Sequence, residues 1–287
     1  MIIVTGASGQ LGRAVVERLL DRVPAERLGV SVRDPEKVSD VAARGVRVRR
    51  GDFDDPGTLA QAFEGASQVL IVSTATTGKT AVRHHRTAID AAVTAGVERI
   101  VYTSHMAANP ASPFAPMPDH AATEAALHES GVPFTSLRNG FYAASGVMLL
   151  RGALATGELA VPQDGPVSWT AHDDLAEVAA IALADGGLDG VTPALTASEA
   201  LDMEGMAETA SRVTGRTIRR VVVSDEDYRA GLLAHGLPEP VADMLLGIFL
   251  ASRNGEFAEV DPTLARVIGR PPVPFADVLA AATTPVG

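Results

Sequence analysis

No cysteine occurs anywhere in the chain, which excludes a disulfide framework, a thiolate metal site and a cysteine nucleophile. Aromatic residues are scarce at 4%, with Trp169 the single tryptophan, which argues against a stacking platform for bases or sugars. No apolar run approaches the ~20 residues that a bilayer-crossing helix needs, and no basic segment precedes the apolar residues that begin at Ile2. The sequence therefore predicts neither a membrane span nor a secretion signal, and a cytoplasmic setting. Positive charge is also short: 24 Lys and Arg face 35 Asp and Glu, a formal net charge of -11 that repels polyphosphate backbones and disfavours nucleic acid as a partner.

What the chain does have is apolar residues, 46% of its 287, enough for one large core with a smaller annexe. Short β-rich runs at 2–5, 28–32, 46–50, 69–73, 99–103 and 134–137 alternate with helical stretches at 9–21, 35–43, 56–63, 80–95 and 119–129. Several helices open on Pro or Asp and close on Gly45, Gly65, Gly96 or Gly131. This alternation predicts an α/β fold, a Rossmann-type doubly wound parallel sheet occupying residues 1–142. Residues 143–287 predict a smaller α+β C-terminal cap lobe that shares the core and returns some segments to the sheet. In it, helices are expected at 147–154, 173–184, 203–214, 225–235 and 240–251, and strands at 158–161, 191–195 and 218–223. The Pro-rich stretch Asn109–Pro118 reads as a loop.

The sharpest motif is Thr5-Gly6-Ala7-Ser8-Gly9-Gln10-Leu11-Gly12, a GxxGxxG between the first strand and the first helix. Gly6 and Gly9 permit a tight turn that brings Ser8 and the amides of Gln10 and Leu11 to a pyrophosphate. Gly12 lets the helix sit close to the strand, and the helix dipole faces the anion. Strand two ends at Arg33, where an NAD-binding fold ordinarily places an acid; a guanidinium suits a 2′-phosphate, with Lys37 a second cation, so NADPH is favoured and NADH remains possible. Asp52 and Phe53 follow strand three at the expected adenine position, and Asp52 is equally suited to cap the turn into Pro56. Ser73 and Thr74, then Thr103 and Ser104, end strands four and five at the nicotinamide ribose position. Asn139, after strand six, is placed to orient the nicotinamide or a substrate oxygen, and Asn-Gly is also a good turn.

His120 and His105 are the candidate proton donors, His120 being equally well read as a helix-start residue beside Asp119. Arg83-His84-His85-Arg86 places adjacent histidines ~100° apart on a helix, which is wrong for metal ligation, and reads as a solvated face. His172-Asp173-Asp174 reads as an N-cap. No metal site is expected.

The segments TGASGQLG, VRDPEK, GDFDD, VYTSH, TEAALHESGVPFT and LRNGFY together resemble the NmrA-like branch of atypical short-chain dehydrogenases, most of all its bacterial NADPH-dependent quinone reductases. The likeness runs nearly end to end and is densest before Tyr142. It implies direct hydride transfer from NADPH to a quinone or related conjugated carbonyl, without flavin or metal. The cofactor would lie on Gly6, Gly9, Gln10, Leu11, Gly12, Arg33 and Lys37. The small aromatic substrate would enter above Ser73, Tyr102 to Ser104 and Asn139 to Tyr142, making His120, Asn139 and Tyr142 the catalytic candidates in a monomer or homodimer. The Tyr and Lys that ordinary short-chain dehydrogenases carry four residues apart are replaced by His120 and Glu124. Their loss also suits a non-catalytic NAD(P)-binding redox sensor, and the Ala- and Arg-rich composition suits a tailoring enzyme for quinone-like natural products.

Overall fold

Runs of Ile, Val and Leu too short for helices, and bounded by Gly, Asp or Pro, build the centre of the protein. The computed structural model describes residues 1–284. The strands are β1 (Ile2–Thr5), β2 (Leu28–Val32), β3 (Arg47–Arg50), β4 (Gln68–Ile71), β5 (Arg99–His105), β6 (Phe134–Asn139), β7 (Phe141–Tyr142), β8 (Glu158–Val161), β9 (Trp169–Thr170), β10 (Gly190–Val191) and β11 (Arg219–Val222). The helices are α1 (Gln10–Leu20), α2 (Ser39–Ala42), α3 (Pro56–Phe63), α4 (Lys79–Thr94), α5 (Pro116–Glu129), α6 (Ala143–Thr156), α7 (His172–Ala184), α8 (Met203–Thr214), α9 (Asp225–Ala234), α10 (Glu239–Arg253), α11 (Thr263–Ile268) and α12 (Phe275–Thr283).

Seven parallel strands form the central sheet in the order β3-β2-β1-β4-β5-β6-β10. This is the doubly wound Rossmann-type arrangement, with the order reversing between β1 and β4, so the chain departs in opposite directions there and leaves a crevice at the carboxyl ends. β1 and β2 are buried at every position, as strands covered on both faces must be. On one face α1 buries Leu11, Val15, Val16 and Leu19 at helical spacing. Its neighbour α7, rich in alanine, packs there with Leu175, Val178, Ala179 and Ala182 in the same core. On the other face Phe63, Ile89, Tyr102 and Leu127 close the layer formed by α3, α4 and α5. A second core, around Trp169, Met206, Phe249, Phe257 and Phe275, joins α6, α8, α10 and α12 beside the β8–β11 pair.

Several expectations need correction. Residues 35–38 form a 3-10 turn that precedes the short α2, because Asp34 accepts from the Glu36 amide and tightens the start. The Asn109–Pro118 loop ends early, since Pro116 enters α5 at the one turn that tolerates a missing N–H. The strand expected at 191–195 is confined to Gly190–Val191, with only a single further bridge at Leu195. The helix at His172 is preceded by Ala171 as N-cap, so that segment supplies no side-chain cap. Instead Asp174 is fully buried, accepts from the Val273 amide at 2.7 Å and pairs with Arg270 at 2.7 Å, fastening the C-terminal segment to α7. The face at Arg83-His84-His85-Arg86 is solvated only at its arginines; both histidines are buried.

Candidate active site

The glycine turn is dictated by sterics. Gly6 has φ +64, a left-handed conformation that L side chains rarely adopt, and a Cβ at Gly12 would overlap the Gly6 carbonyl. α1 starts on Gly9 with no side-chain cap and no acid in its first turn, which leaves its leading amides free for an anion. These features open into a cleft of about 480 Å³. Of the residues expected there, Gly6, Ser8, Gly9, Arg33, Asp52, Phe53, Ser73 and Thr74 line it, and Ser31, Thr76, Thr80 and His84 join them.

Gln10, Leu11, Gly12 and Lys37 do not line the cleft. Leu11 points its side chain into the core, and Lys37 sits 3.9 Å from Asp34 on the exterior. Asp52 accepts from the Asp54 amide at 3.1 Å, forming the turn toward Pro56, while its residue still lines the cleft. Arg33 is exposed and makes no ion pair among the described residues, so its charge is available at the cleft edge. His84 was not legible as a lining residue; its Nε2 meets Asp54 at 2.9 Å and its ring lies 6.2 Å from that of Phe53.

Thr103 and Ser104 are buried beneath the crevice. The Thr103 hydroxyl accepts from the Ser73 amide at 2.9 Å, and Ser104 donates to Glu124 at 2.7 Å. Glu124 also accepts from Ser136 at 2.9 Å and from Arg138 at 2.7 Å. Burial pushes its carboxyl up, but the hydrogen bonds from Arg138, Ser104 and Ser136 outweigh that and hold it below the usual carboxylate range. Glu124 is thus spent on tying α5 to β5 and β6.

Beside that knot the carboxyl ends of β5 and β6 meet the start of α5. Tyr102, fully buried on β5, lies 2.7 Å from His120 Nδ1 and 3.5 Å from His85 Nδ1. The Thr74 amide donates to His85 Nε2 at 3.0 Å, and His85 Nδ1 contacts the Thr123 hydroxyl at 2.8 Å. Burial drives His85 down to about 3 and His120 down to about 4, and it pushes the Tyr102 phenol well up. His105 is likewise held well below its ordinary value by burial, so all three imidazoles are neutral at neutral pH.

Asn139 is buried, and neither atom of its amide makes a regular hydrogen bond, an unusual cost at a strand end unless a ligand supplies the partners. Tyr142 turns toward the cap, its ring 4.3 Å from that of His172. Burial raises its phenol and the neighbouring Asn139 amide counteracts that.

The NmrA-like family profile matches residues 1–270. The chain belongs to the NmrA-like family. Escherichia coli quinone oxidoreductase 2 is 34% identical over 278 residues, 96% of each chain. The crystal structure of the NADPH-dependent quinone oxidoreductase from that organism, complexed with NADPH, superposes with a TM-score of 0.94 at 32% identity, over 99% of this chain and 100% of that one. The Citrobacter sp. triphenylmethane reductase complexed with NADP(H) has a TM-score of 0.90 at 33% identity, over 98% and 100%. These NmrA-like relatives match the whole of the sheet and the cap, so the likeness extends well beyond the glycine motif.

Proposed function

We propose that this NmrA-like protein is an NADPH-dependent oxidoreductase that reduces quinones or related conjugated carbonyls. The observation that carries the reading is that an unencumbered Arg33 shares one cleft with Gly6, Ser8 and Gly9, the turn that leads into the uncapped head of α1. The relatives' NADPH complexes and quinone activity support it.

The residues present fit the cofactor. The Gly6–Gly12 turn is too closely packed for a Cβ at Gly12 and brings Gly6, Ser8 and Gly9 to the cleft wall, Arg33 suits the 2′-phosphate, and Asp52 and Phe53 suit the adenine position. Ser73 and Thr74 are placed for the nicotinamide ribose, and the unpartnered amide of Asn139 for a carboxamide or a substrate oxygen. Bound NADPH supplies a hydride. The chain binds and orients it, shields the acceptor beneath the 143–287 cap lobe, and presents donors where negative charge develops. The Tyr–Lys pair of ordinary short-chain dehydrogenases is not used, because His120 and Glu124 hold those positions and Glu124 is tied to Arg138. A quinone tolerates this, since hydride addition yields a stabilised hydroquinone anion that needs no strong acid. Tyr142, beside Asn139 and against His172, is the candidate contact from the cap side.

Among the described residues no helix is long and apolar enough to cross a membrane. The test is spectroscopic: NADPH consumption with benzoquinones and naphthoquinones should saturate in both substrates. Tight NADPH binding with no turnover on any quinone would instead identify a redox sensor.

A further inference from the structure

Three hydrogen bonds determine which nitrogen of each buried imidazole carries its hydrogen. At His85, the Thr74 amide donates to Nε2, so the hydrogen is on Nδ1. Thr123 agrees: its hydroxyl hydrogen goes to the Asp119 carbonyl at 2.7 Å, so it must accept from His85 Nδ1. The Tyr102 oxygen faces an N–H of His85 on one side; with its own hydrogen assigned to the shorter contact, His120 Nδ1 at 2.7 Å, the His120 hydrogen is on Nε2. At His105, Nδ1 accepts from the Ala107 amide at 3.2 Å, and its hydrogen too is on Nε2.

The two rings lie 6.1 Å apart, inclined by 32°, at the carboxyl end of β5 and the first turns of α5. His105 is held edge-on by Phe141 at 5.4 Å and Phe257 at 5.6 Å and is paired in register with Asn139. Among the described residues neither Nε2 has a hydrogen-bond partner, and neither is among the sealed, unpartnered polar atoms of the interior.

We propose that His105 and His120 form a neutral two-donor hold for the substrate's carbonyl oxygen, each presenting Nε2–H with its tautomer locked from behind, by the Ala107 amide and by Tyr102. This rests on the reductase reading and gives the two candidate histidines a joint role: donation of hydrogen bonds without release of a proton. The acceptor gains the hydride and becomes the hydroquinone monoanion; the cofactor loses two electrons and that hydrogen nucleus; the second proton comes from water as the product leaves. Full transfer from His120 would require Tyr102 to give up its own proton inside the core, where burial opposes a phenolate. The site accordingly takes acceptors that develop charge on oxygen. A cationic triarylmethane dye, which accepts hydride at carbon, needs neither donor.

The experiment compares His105→Phe, His105→Gln and His120→Gln. NADPH binding by calorimetry should match wild type in all three. With a naphthoquinone, His105→Phe should lose about 100-fold in kcat with little change in KM, the scale of one oxyanion donor. His105→Gln, which keeps an N–H in reach, should recover at least tenfold of that. A second readout uses 4-nitrophenol bound beside NADP+, whose visible band reports its ionisation. Wild type should favour the phenolate, and His105→Phe should raise the bound phenol's apparent pKa by about one unit. Quinone turnover within twofold of wild type in His105→Phe, or equal losses in His105→Phe and His105→Gln, would overturn the hold while leaving the reductase reading intact. Failure of wild type to bind NADPH would instead defeat that reading.

Discussion

Acidification should destabilise this protein well above the pH at which ordinary carboxylates titrate. His85 and His120 titrate near 6.5 when unfolded but only near about 3 and about 4 when folded. Between those values the unfolded chain binds protons that the folded chain refuses, so stability is present at neutral pH and is lost as pH falls. At pH 5, about 1.5 units below 6.5, each histidine contributes a factor of about thirty toward unfolding, about 2 kcal/mol, and the two together about 4 kcal/mol. Set against a typical total of about 5–15 kcal/mol, that is a substantial fraction. His105 acts in the same direction. Glu17 and Glu124, held below the normal carboxylate range, act only at lower pH, whereas Asp119 and Asp164, raised by burial, oppose the trend. Urea titrations followed by circular dichroism at pH 7, 6 and 5 measure the effect. His85→Gln, whose amide can accept from Thr74 and donate to Thr123, should remove about half of the calculated pH dependence, about 2 kcal/mol between pH 7 and 5. Identical wild-type midpoints at pH 7 and pH 5 would refute the assignment of neutral, buried imidazoles.

Three further outcomes are expected. Arg33→Asp should weaken NADPH binding by about 1–3 kcal/mol, the scale of a charge-assisted hydrogen bond to phosphate, and leave NADH nearly untouched; equal losses by calorimetry would remove the 2′-phosphate role. Gly12→Val should cost about 1–3 kcal/mol of stability even without ligand, because its Cβ meets the Gly6 carbonyl backbone, so an unchanged thermal midpoint would contradict the close strand–helix approach. Asp174→Ala should destabilise by about 1–3 kcal/mol, since it leaves the Val273 amide without its acceptor while Arg270 keeps Glu177 as a partner, and NADPH affinity should stay intact in whatever fraction stays folded.

Much of the sheet was legible because its signals are local. Ile2–Thr5 is a β-branched run that ends at the glycine turn, Leu28–Val32 a short β-prone run between Arg27 and Arg33, and the strands occupy those residues. The glycine turn was legible for the same reason: spacing within eight residues determines its geometry. What escaped was held by distant partners. β9 is two residues long and exists because Phe141 and Tyr142 pair with it, too short for any periodicity to show. α11 and α12 are short and follow Pro262 and Pro274 with little contrast to their surroundings. The polar pattern Arg83-His84-His85-Arg86 reads as surface, but Thr74 and Thr123, on other elements, supply the hydrogen bonds that make His85 affordable inside. Tyr102 was legible as a strand residue above which substrate enters, but not as the partner of His120, because that contact joins β5 to α5.

The sheet's last strand and one of its covering helices come from beyond residue 142: β10 lies against β6, and α7 lies along α1. The nucleotide-binding half is therefore incomplete when its own stretch of chain ends. A polypeptide stopped at Tyr142 would emerge with the apolar surface that α7 covers beside α1 laid bare and an open backbone edge on β6, an invitation to self-association. Newly made chain must accordingly reach about two thirds of its length, Val191 of 287 residues, before α7 and β10 are in hand, and the two halves should melt together as one cooperative transition.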